Sequence, residues 1–509
     1  MKMKRIIKRV GLVVFGIFLE YTSQVFGNTQ GPTMVELALS YDDVLLVPQK
    51  SSVASRKNVS TKTRLTKNIS LNMPIVSANM DTVTEAGMAI AVAQLGGIGI
   101  IHRFNTIEDQ VHEVLRVKRY RNAVIQHPIT VHQDATLDQA LIIMGDHGIT
   151  GLLVVDDNNK LTGILTSRDT RFVTSGNVRV SELMTPKNNL VVGSVGITSE
   201  EALQVFAKYK IEKLPIIYPD GSIAGLITSK DILKKQQYPY SSVDQKDRLM
   251  VGAAIGVNAD ALDRAKALVD AEVDVLVIDI AHGHSDLAIT IVRELKKLFP
   301  SIDVIAGNVA TAQGAHDLIQ AGADAIKVGV GPGSICTTRI MTGSGYPQLS
   351  AIVRCAQEAD KYNIPVIADG GIKVSGDITK AIAAGASTVM LGNLLAGTDE
   401  SPGKPLVKNG KKYKVIRGMA SYGAHLGRSD RNTGKKTDSE FVPEGVEALV
   451  LYKGSVHEII PQLLGGFRSG MSYCGVSNSE DMRGKGQFVQ ITQAGVRESN
   501  AHDVQEIGK

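Results

Sequence analysis

Residues 329–339 read Gly-Val-Gly-Pro-Gly-Ser-Ile-Cys-Thr-Thr-Arg. Glycines at Gly329, Gly331 and Gly333 free the backbone to approach a ligand or an ion closely. Peptide carbonyls exposed by such a loop could coordinate a hard monovalent cation. Cys336 follows directly, and a thiolate is the most nucleophilic common side chain near neutral pH. Cysteine is more often a small buried core residue. That reading suits Cys355, on a helical face, and Cys474. It suits Cys336 poorly, because the glycines and hydroxyls around it have no packing use. Thr338 is close enough in sequence to help position or accept a proton.

Two more clusters extend this chemistry. Asp369-Gly370-Gly371 and Gly392-Asn393 each end a short β-rich run. Glycine N–H groups at such turns favour an anion, and Asp369 is placed to accept two ribose hydroxyls. The combination implies a ribonucleoside monophosphate held at phosphate and ribose, with its base over Cys336. Cysteine attack on a purine carbon would be covalent catalysis at an electrophilic C=N. Asp279 opens the run Asp279-Ile280-Ala281-His282-Gly283-His284-Ser285 and could hold a second ligand's ribose. The two histidines suggest a metal, but no third ligand is spaced nearby, and solvated loop histidines are the simpler reading. A polar segment, 413–445, carries Arg417-Gly418-Met419-Ala420-Ser421, Asp430-Arg431 and Pro443-Glu444-Gly445. It reads as a mobile lid or as a disordered insertion.

The elements that must position these residues are legible as a rhythm. Eight β-rich runs end in Gly, Asp, Asn or a neighbouring polar residue: 74–79, 97–102, 251–256, 275–279, 303–307, 325–330, 365–369 and 388–392. Amphipathic segments lie between them, among them 259–271, 285–298, 311–322, 349–362 and 376–385. Eight βα units in order predict an α/β fold, a (β/α)8 TIM barrel, whose active site lies at the C-terminal strand ends and whose loops 7 and 8 bind phosphate. A doubly wound sheet is the alternative, and no separate dinucleotide-binding glycine motif supports it. An internal repeat is inserted after the second strand. Leu161 to Asp169 matches Ile223 to Asp231, each copy preceded by an apolar strand and a helix-like run, 136–146 or 199–209.

Composition bounds the partners. The chain has 509 residues, a formal net charge of +5, 43% hydrophobic residues and 50 glycines. This excludes disorder as the main state and excludes a polytopic membrane protein. Residues 1–33 hold five basic residues and one acid, so the rest is nearly neutral and carries no basic footprint for nucleic acid. Three cysteines without paired spacing argue against a disulfide framework and a zinc site, and a reducing, cytoplasmic setting is expected. Residues 1–33 look signal-like, with basic residues before the apolar run Gly11–Leu19, which is too short to span a bilayer. An upstream start before Met34 is the other reading.

Taken together, these residues resemble the family of inosine 5′-monophosphate (IMP) dehydrogenase and GMP reductase over essentially all of 34–509. The resemblance rests on Tyr41-Asp42-Asp43-Val44-Leu45-Leu46, Met80-Asp81-Thr82-Val83-Thr84-Glu85, the GPGSICTTR loop at 331–339, ADGGI at 368–372 and RGM at 417–419. It implies a barrel over 34–124 and 236–509 with a flap at 413–445, and two cystathionine-β-synthase (CBS, or Bateman) domains at 125–180 and 181–235. It also implies NAD-dependent oxidation of IMP, with Cys336 attacking C2. Arg431, in the flap, would be general base for water, and Thr338 and Glu444 a second proton route. Ser334, Gly371, Gly392 and Asn393 would hold phosphate, with Asp369 on ribose and Gly370 and Ile416 also lining the substrate site. Arg417, Gly418, Met419, Ala420 and Glu444 would complete the substrate site. Asp279 and the backbone of Gly329, Val330 and Gly331 would meet NAD+. A K+ would sit on the carbonyls of Gly331, Gly333 and Cys336, joined by Glu498, Ser499 and Asn500 of a neighbouring subunit, which implies a homotetramer. Asp169 and Asp231 resemble CBS ribose contacts for purine nucleotides.

The chain departs from the family pattern at Asn79, Asn393, Ile416, Ala420, Asn432 and Asn500. Ile416 stands where a phosphate-binding tyrosine is usual, and Asn432 where a flap tyrosine is usual. GMP reductase, which uses NADPH and releases ammonia, shares Cys336, Thr338 and Glu444, and the missing flap tyrosine leans toward it. Arg431 and the Glu498-Ser499 pair favour the dehydrogenase. A nucleotide sensor with an inactive barrel is a third reading, opposed by the intact Cys336, Thr338, Arg431 and Glu444 set.

Overall fold

The computed structural model describes residues 35–120, 125, 128–427 and 442–504. The leader 1–33, Arg431 and Asn432 lie outside the described residues, as does the side chain of Asp231.

Eight parallel strands close into a barrel: β1 (Ile75–Ser77), β2 (Ile98–Ile101), β3 (Val251–Ile255), β4 (Val275–Ile278), β5 (Asp303–Val309), β6 (Ala325–Val328), β7 (Val366–Asp369) and β8 (Thr388–Leu391). These are the eight runs the sequence marks out. Closure is made by β8, which pairs with β1, and by β2, which pairs with β3 across the inserted repeat. Parallel strands covered on both faces are apolar throughout, and nearly every residue here is buried. Alternate side chains, among them Val76, Ile98, Ile100, Val277, Ile305, Ile367 and Met390, form a core cluster of their own. Leu65 and Leu71, from a hairpin ahead of β1, join that cluster. Asn68 Nδ2 in the same hairpin donates to Asp303 Oδ1 at 2.7 Å, which ties it to the first residue of β5.

The main helices packed on the barrel are α1 (Ala86–Gln94), α2 (Ile107–Tyr120), α3 (Ala261–Asp270), α4 (Asp286–Leu298), α5 (Ala312–Gln320), α6 (Gln348–Asp360), α7 (Ser375–Ala383) and α8 (Val456–Tyr473). The starts of α4, α5 and α8 follow capping chemistry. Ser285 accepts from Ala288 N–H and Thr311 from Gly314 N–H, each satisfying a donor the helix leaves unpaired. No helix among the described residues is long and apolar enough to cross a membrane.

Between α2 and β3 lie two similar small units. The first has a sheet of Thr130–His132, Gly151–Val155, Leu161–Thr166 and Thr185–Pro186 with helix Leu137–His147. The second has Gly193–Ser194, Lys213–Ile217 and Ile223–Thr228 with helix Ser199–Tyr209. The same capping box, Thr136 with Gln139 and Thr198 with Glu201, starts both helices. Leu153, Leu161, Ile164 and Leu226 pack between the two copies, so each covers the other's apolar face.

The polar segment 413–445 is only partly what its composition suggests. Lys411–Arg417 is a strand, paired antiparallel with Leu406–Lys408 on one side and Glu447–Leu451 on the other. Alternation explains it: Lys414 and Ile416 are buried, while Val415 and its cross-strand partner Leu449 face outward. Residues 428–441 lie outside the described set.

Candidate active site

The loop after β6 brings the first functional group to the barrel mouth. Cys336 is half-buried, and its Sγ donates to Thr338 Oγ1 at 3.2 Å. Thr338 Oγ1 in turn donates to Glu444 Oε2 at 2.8 Å. Glu444 lies more than a hundred residues away in sequence, and the backbone explains its arrival. Cys336 and Gly445 form an antiparallel bridge. Thr337 N–H donates to Glu444 O at 2.8 Å, and Val446 N–H donates to Ile335 O at 3.0 Å. Glu444 N–H reaches Ala420 O at 3.0 Å, and Gly418 N–H reaches Val446 O at 3.0 Å. The segments at 335–337, 418–420 and 444–446 therefore run side by side. A side chain at Gly418 would put its Cβ 3.2 Å from Gly445 Cα, which is why both positions take glycine.

Burial separates the three cysteines. Cys355 is fully buried in the core, which pushes its thiol up to about 12. Cys474 is likewise buried, and its pKa is raised by the same desolvation. Cys336 alone faces the mouth and has hydroxyl and carboxylate neighbours.

Loops 6 and 7 touch. Gly370 has φ +93°, and a Cβ there would lie 3.2 Å from Gly333 N, so the backbone approach needs glycine. Ser334 and Asn393 are exposed at the mouth, and Gly392 lies against Met80 Sδ. Asp369, the last residue of β7, is held by groups that sequence reasoning missed. Lys327 Nζ donates to Asp369 Oδ2 at 2.8 Å, and Asn308 Nδ2 donates to the same oxygen at 2.9 Å. Lys327 also donates to Asn308 Oδ1, and Asn308 Nδ2 to Gly329 O at 2.8 Å. Gln348 Nε2 donates to the Asp369 and Val328 carbonyls. Lys327 is 2% exposed. A lysine inside an apolar strand needs an anionic partner, and that was the trace available in the run Ala-Ile-Lys-Val.

Other expected site residues are placed as follows. Asp279, just past β4, accepts from Arg103 Nε at 3.3 Å, and Arg103 also lies over the ring of Phe104. Arg417 is drawn to Asp81: its Nε donates to Asp81 Oδ2 at 2.6 Å, and its Nη2 donates to the same oxygen. Its guanidinium is thus engaged by protein, its pKa raised by that hydrogen bond. Ile416 is 1% exposed and packs in the main core, so its side chain supplies no polar contact and only its backbone faces the strand neighbours. Met419 and Ala420 are half-buried beside Gly418. His284 Nε2 lies 2.8 Å from Asp317 Oδ2, and the His282 ring stands 6.3 Å from the His284 ring.

The donor sets for a cation and for NAD+ can be tested on the same loop. Among the described residues, no hydrogen bond is directed to the Gly331 or Cys336 carbonyl. Gly333 O accepts from Cys336 N–H at 3.1 Å. Carbonyls left without donors suit a hard cation. Glu498, Ser499 and Asn500 sit at the end of a short exposed helix, Gln493–Glu498. Ser499 Oγ and Asn500 Nδ2 bond back to Gly495 O and Val496 O. For NAD+, Asp279 keeps one carboxylate oxygen free of described partners, as a ribose acceptor requires.

Comparison with known proteins gives one consistent result. Residues 38–502 match the family model described as "IMP dehydrogenase / GMP reductase domain". An inosine-5'-monophosphate dehydrogenase of Nitrosopumilus maritimus is 53% identical over 470 residues, covering 92% of this chain and 98% of that protein. A GMP reductase of Leishmania major is 51% identical over 487 residues, covering 94% and 99%. The solved GMP reductase of Trypanosoma brucei in complex with guanosine 5'-monophosphate superposes with a TM-score of 0.87 at 47% identity, covering 92% of this chain and 99% of that one. With a catalytic barrel matched along almost its whole length, the chain belongs to the IMP dehydrogenase / GMP reductase family.

Proposed function

We propose that this protein oxidises IMP to xanthosine 5′-monophosphate (XMP), consuming NAD+ and water. The observation that carries the reading is the hydrogen-bonded chain Cys336–Thr338–Glu444 at the mouth of a barrel whose seventh and eighth strands end in Asp369-Gly370-Gly371 and Gly392-Asn393.

Cys336 gives up its proton toward Thr338 Oγ1, whose own proton is already directed at Glu444. The thiolate sulfur adds to C2 of IMP, forming a C–S bond. The hydrogen on C2 then leaves with its electron pair, and that carbon is oxidised to a thioimidate on Cys336. NAD+, held by Asp279 and the Gly329–Gly331 backbone, supplies the hydride acceptor. Water next adds to C2 and loses a proton, the C–S bond breaks, and Cys336 is returned as thiolate. Arg431 is the base proposed for that water. An arginine side chain is ordinarily always protonated, so the site must hold its neutral form only briefly. Thr338 and Glu444 form the alternative path, and they hold the geometry for it. Asp369 positions the ribose, and Ser334, Gly370, Gly371, Gly392 and Asn393 hold the phosphate through N–H and side-chain donors. Gly418, Met419 and Ala420 flank the base. A K+ bound by Gly331, Gly333 and Cys336 carbonyls, with Glu498, Ser499 and Asn500 of a neighbouring subunit in a tetramer, would stiffen the Cys336 loop.

The two inserted units are proposed to be CBS domains at 125–180 and 181–235, taking purine nucleotides. In the first copy Asp169 closes a capping box on Thr166, accepting from its N–H and Oγ1, each at 2.7 Å, and stands at the strand end where the ribose contact is proposed. The proposed setting is the cytoplasm, with no nucleic-acid or membrane partner.

The test is direct. Purified protein with IMP and NAD+ should form NADH and XMP, and Cys336→Ala should abolish both. A second reading, GMP reduction with NADPH, is favoured by Asn432, which stands where a flap tyrosine is usual and which a reductase, needing no hydrolytic flap, can do without. Oxidation of NADPH by GMP, with no IMP turnover, would establish it instead.

A further inference from the structure

Two lysines unexplained by the chemistry above stand behind the turn that opens with Gly392 and Asn393. Within that turn, Leu395 and Ala396 N–H both donate to Gly392 O, at 3.0 and 2.9 Å. The carbonyls of Asn393 and Leu394 point the other way and meet Lys453 Nζ, the second at 3.4 Å. Just beyond, Lys414 Nζ donates to Thr398 O at 2.7 Å and to Ser401 O at 2.6 Å. Lys414 is 3% exposed. No carboxylate pairs with either ammonium among the described residues. Burial draws both pKa values down. A charged group kept in that setting on carbonyls, with only the Ser401 hydroxyl beside Lys414 at 3.4 Å, costs desolvation, so the orientation of those carbonyls must matter.

The two lysines also link separate parts of the site. Lys414 lies on the strand that continues to Arg417, Gly418 and Met419. Lys453 follows the strand Glu447–Leu451, which leads back to Glu444. Lys453 N–H donates to Gly397 O at 2.9 Å, fixing the same turn from the backbone.

We infer that Lys453 and Lys414 are positioning residues for nucleotide phosphate: by capping carbonyls within 393–401 they hold the Gly392–Asn393 turn in register with the strands Lys411–Arg417 and Glu447–Leu451, which lead to Met419 and Glu444. The inference rests on the reading that this turn binds the phosphate. Neither lysine touches the reacting atoms.

The full-length Lys453→Met protein tests it. KM for IMP should rise by about ten- to hundredfold, while kcat and KM for NAD+ stay within about twofold, since only ground-state grip on one substrate is lost. Lys453→Arg, which keeps a cation on the carbonyls, should recover most of the loss. Lys414→Met should show the same split, and Lys453, being half-exposed, carries the test if that buried variant fails to fold. Equal losses in kcat and both KM values, or no change in KM for IMP, would overturn the inference. If the wild type turns over GMP and NADPH instead, the same split is read with GMP, so the substrate reading and this inference fail separately.

Discussion

Thr338 donates a hydrogen bond to Glu444 across 2.8 Å, and it accepts one from Cys336 at the same oxygen. A thiol, a hydroxyl and a carboxylate thus form one proton path. Removing the middle member should separate the two halves of the reaction. Thr338→Val keeps the shape and breaks the path. Its steady-state turnover should fall by about a hundredfold, and Glu444→Gln should act in the same direction. Rapid-mixing absorbance should still show a first burst of reduced cofactor in both, slowed much less than turnover, because the path takes the Cys336 proton before hydride transfer but carries the larger burden in water activation. Loss of the burst in proportion to turnover would count against a role in hydrolysis.

Lys327 and Asp369 form the second test. Lys327 is buried, and its partners are the Asp369 carboxylate and the Asn308 amide oxygen. Lys327→Met should destabilise the fold by about 3 kcal/mol, because an acid is left without its partner. Nucleotide binding should weaken as the aspartate is freed. Asp369→Asn should weaken nucleotide binding with a comparable loss of stability, because it leaves the buried Lys327 without its anionic partner. Thermal melting and calorimetric titration with IMP measure the two effects.

Acid sensitivity should follow from a charge network where the chain re-enters the barrel. Lys118 Nζ bridges Asp244 at 3.0 Å and Asp274 at 2.6 Å, and Arg248 and Lys246 pair with Glu272. Hydrogen bonds from Arg248 and Lys246 bring Glu272 down to about 2 from 4.5. Its folded pKa is depressed, so its stabilisation is present above pH 4.5 and is lost as pH falls toward 2. The group is close to half-exposed, so solvent screening keeps the effect small. Glu272→Gln should lower Tm at neutral pH by a few degrees or less, and the variant's Tm should converge with the wild type's toward pH 2. A constant difference across the range would contradict the assignment.

Arg417 and Asp81 supply a further expectation. Their ion pair joins the loop after β1 to the strand before Gly418. Asp81→Asn should raise KM for the nucleotide more than it lowers kcat, since Arg417 positions the neighbouring backbone. The same split in Arg417→Lys would show that the paired geometry, rather than charge alone, is needed.

The barrel was legible because each strand is a short apolar run closed by Gly, Asp or a polar residue, and that pattern survives without any tertiary information. Cys336 stood out for the same local reason. Lys327 did not, although a charge within Ala-Ile-Lys-Val marks a buried partner, because only the strand order places Asp369 beside it. Glu444 was reachable by family resemblance, not by spacing, since the contact to Thr338 closes across the small antiparallel sheet. That sheet was hidden by its lysines and glycines, which made the segment look like a lid. Lys414 and Lys453 gave no sequence trace, because their partners are backbone carbonyls.

The central claim is that Cys336 carries IMP through oxidation and then hydrolysis. It is tested most directly by running the reaction in heavy-oxygen water and analysing the product by mass spectrometry. The expected result is XMP bearing one heavy oxygen at C2, formed in step with NADH and absent with Cys336→Ala. No XMP from IMP and NAD+, together with ammonia and IMP from GMP and NADPH, would contradict it.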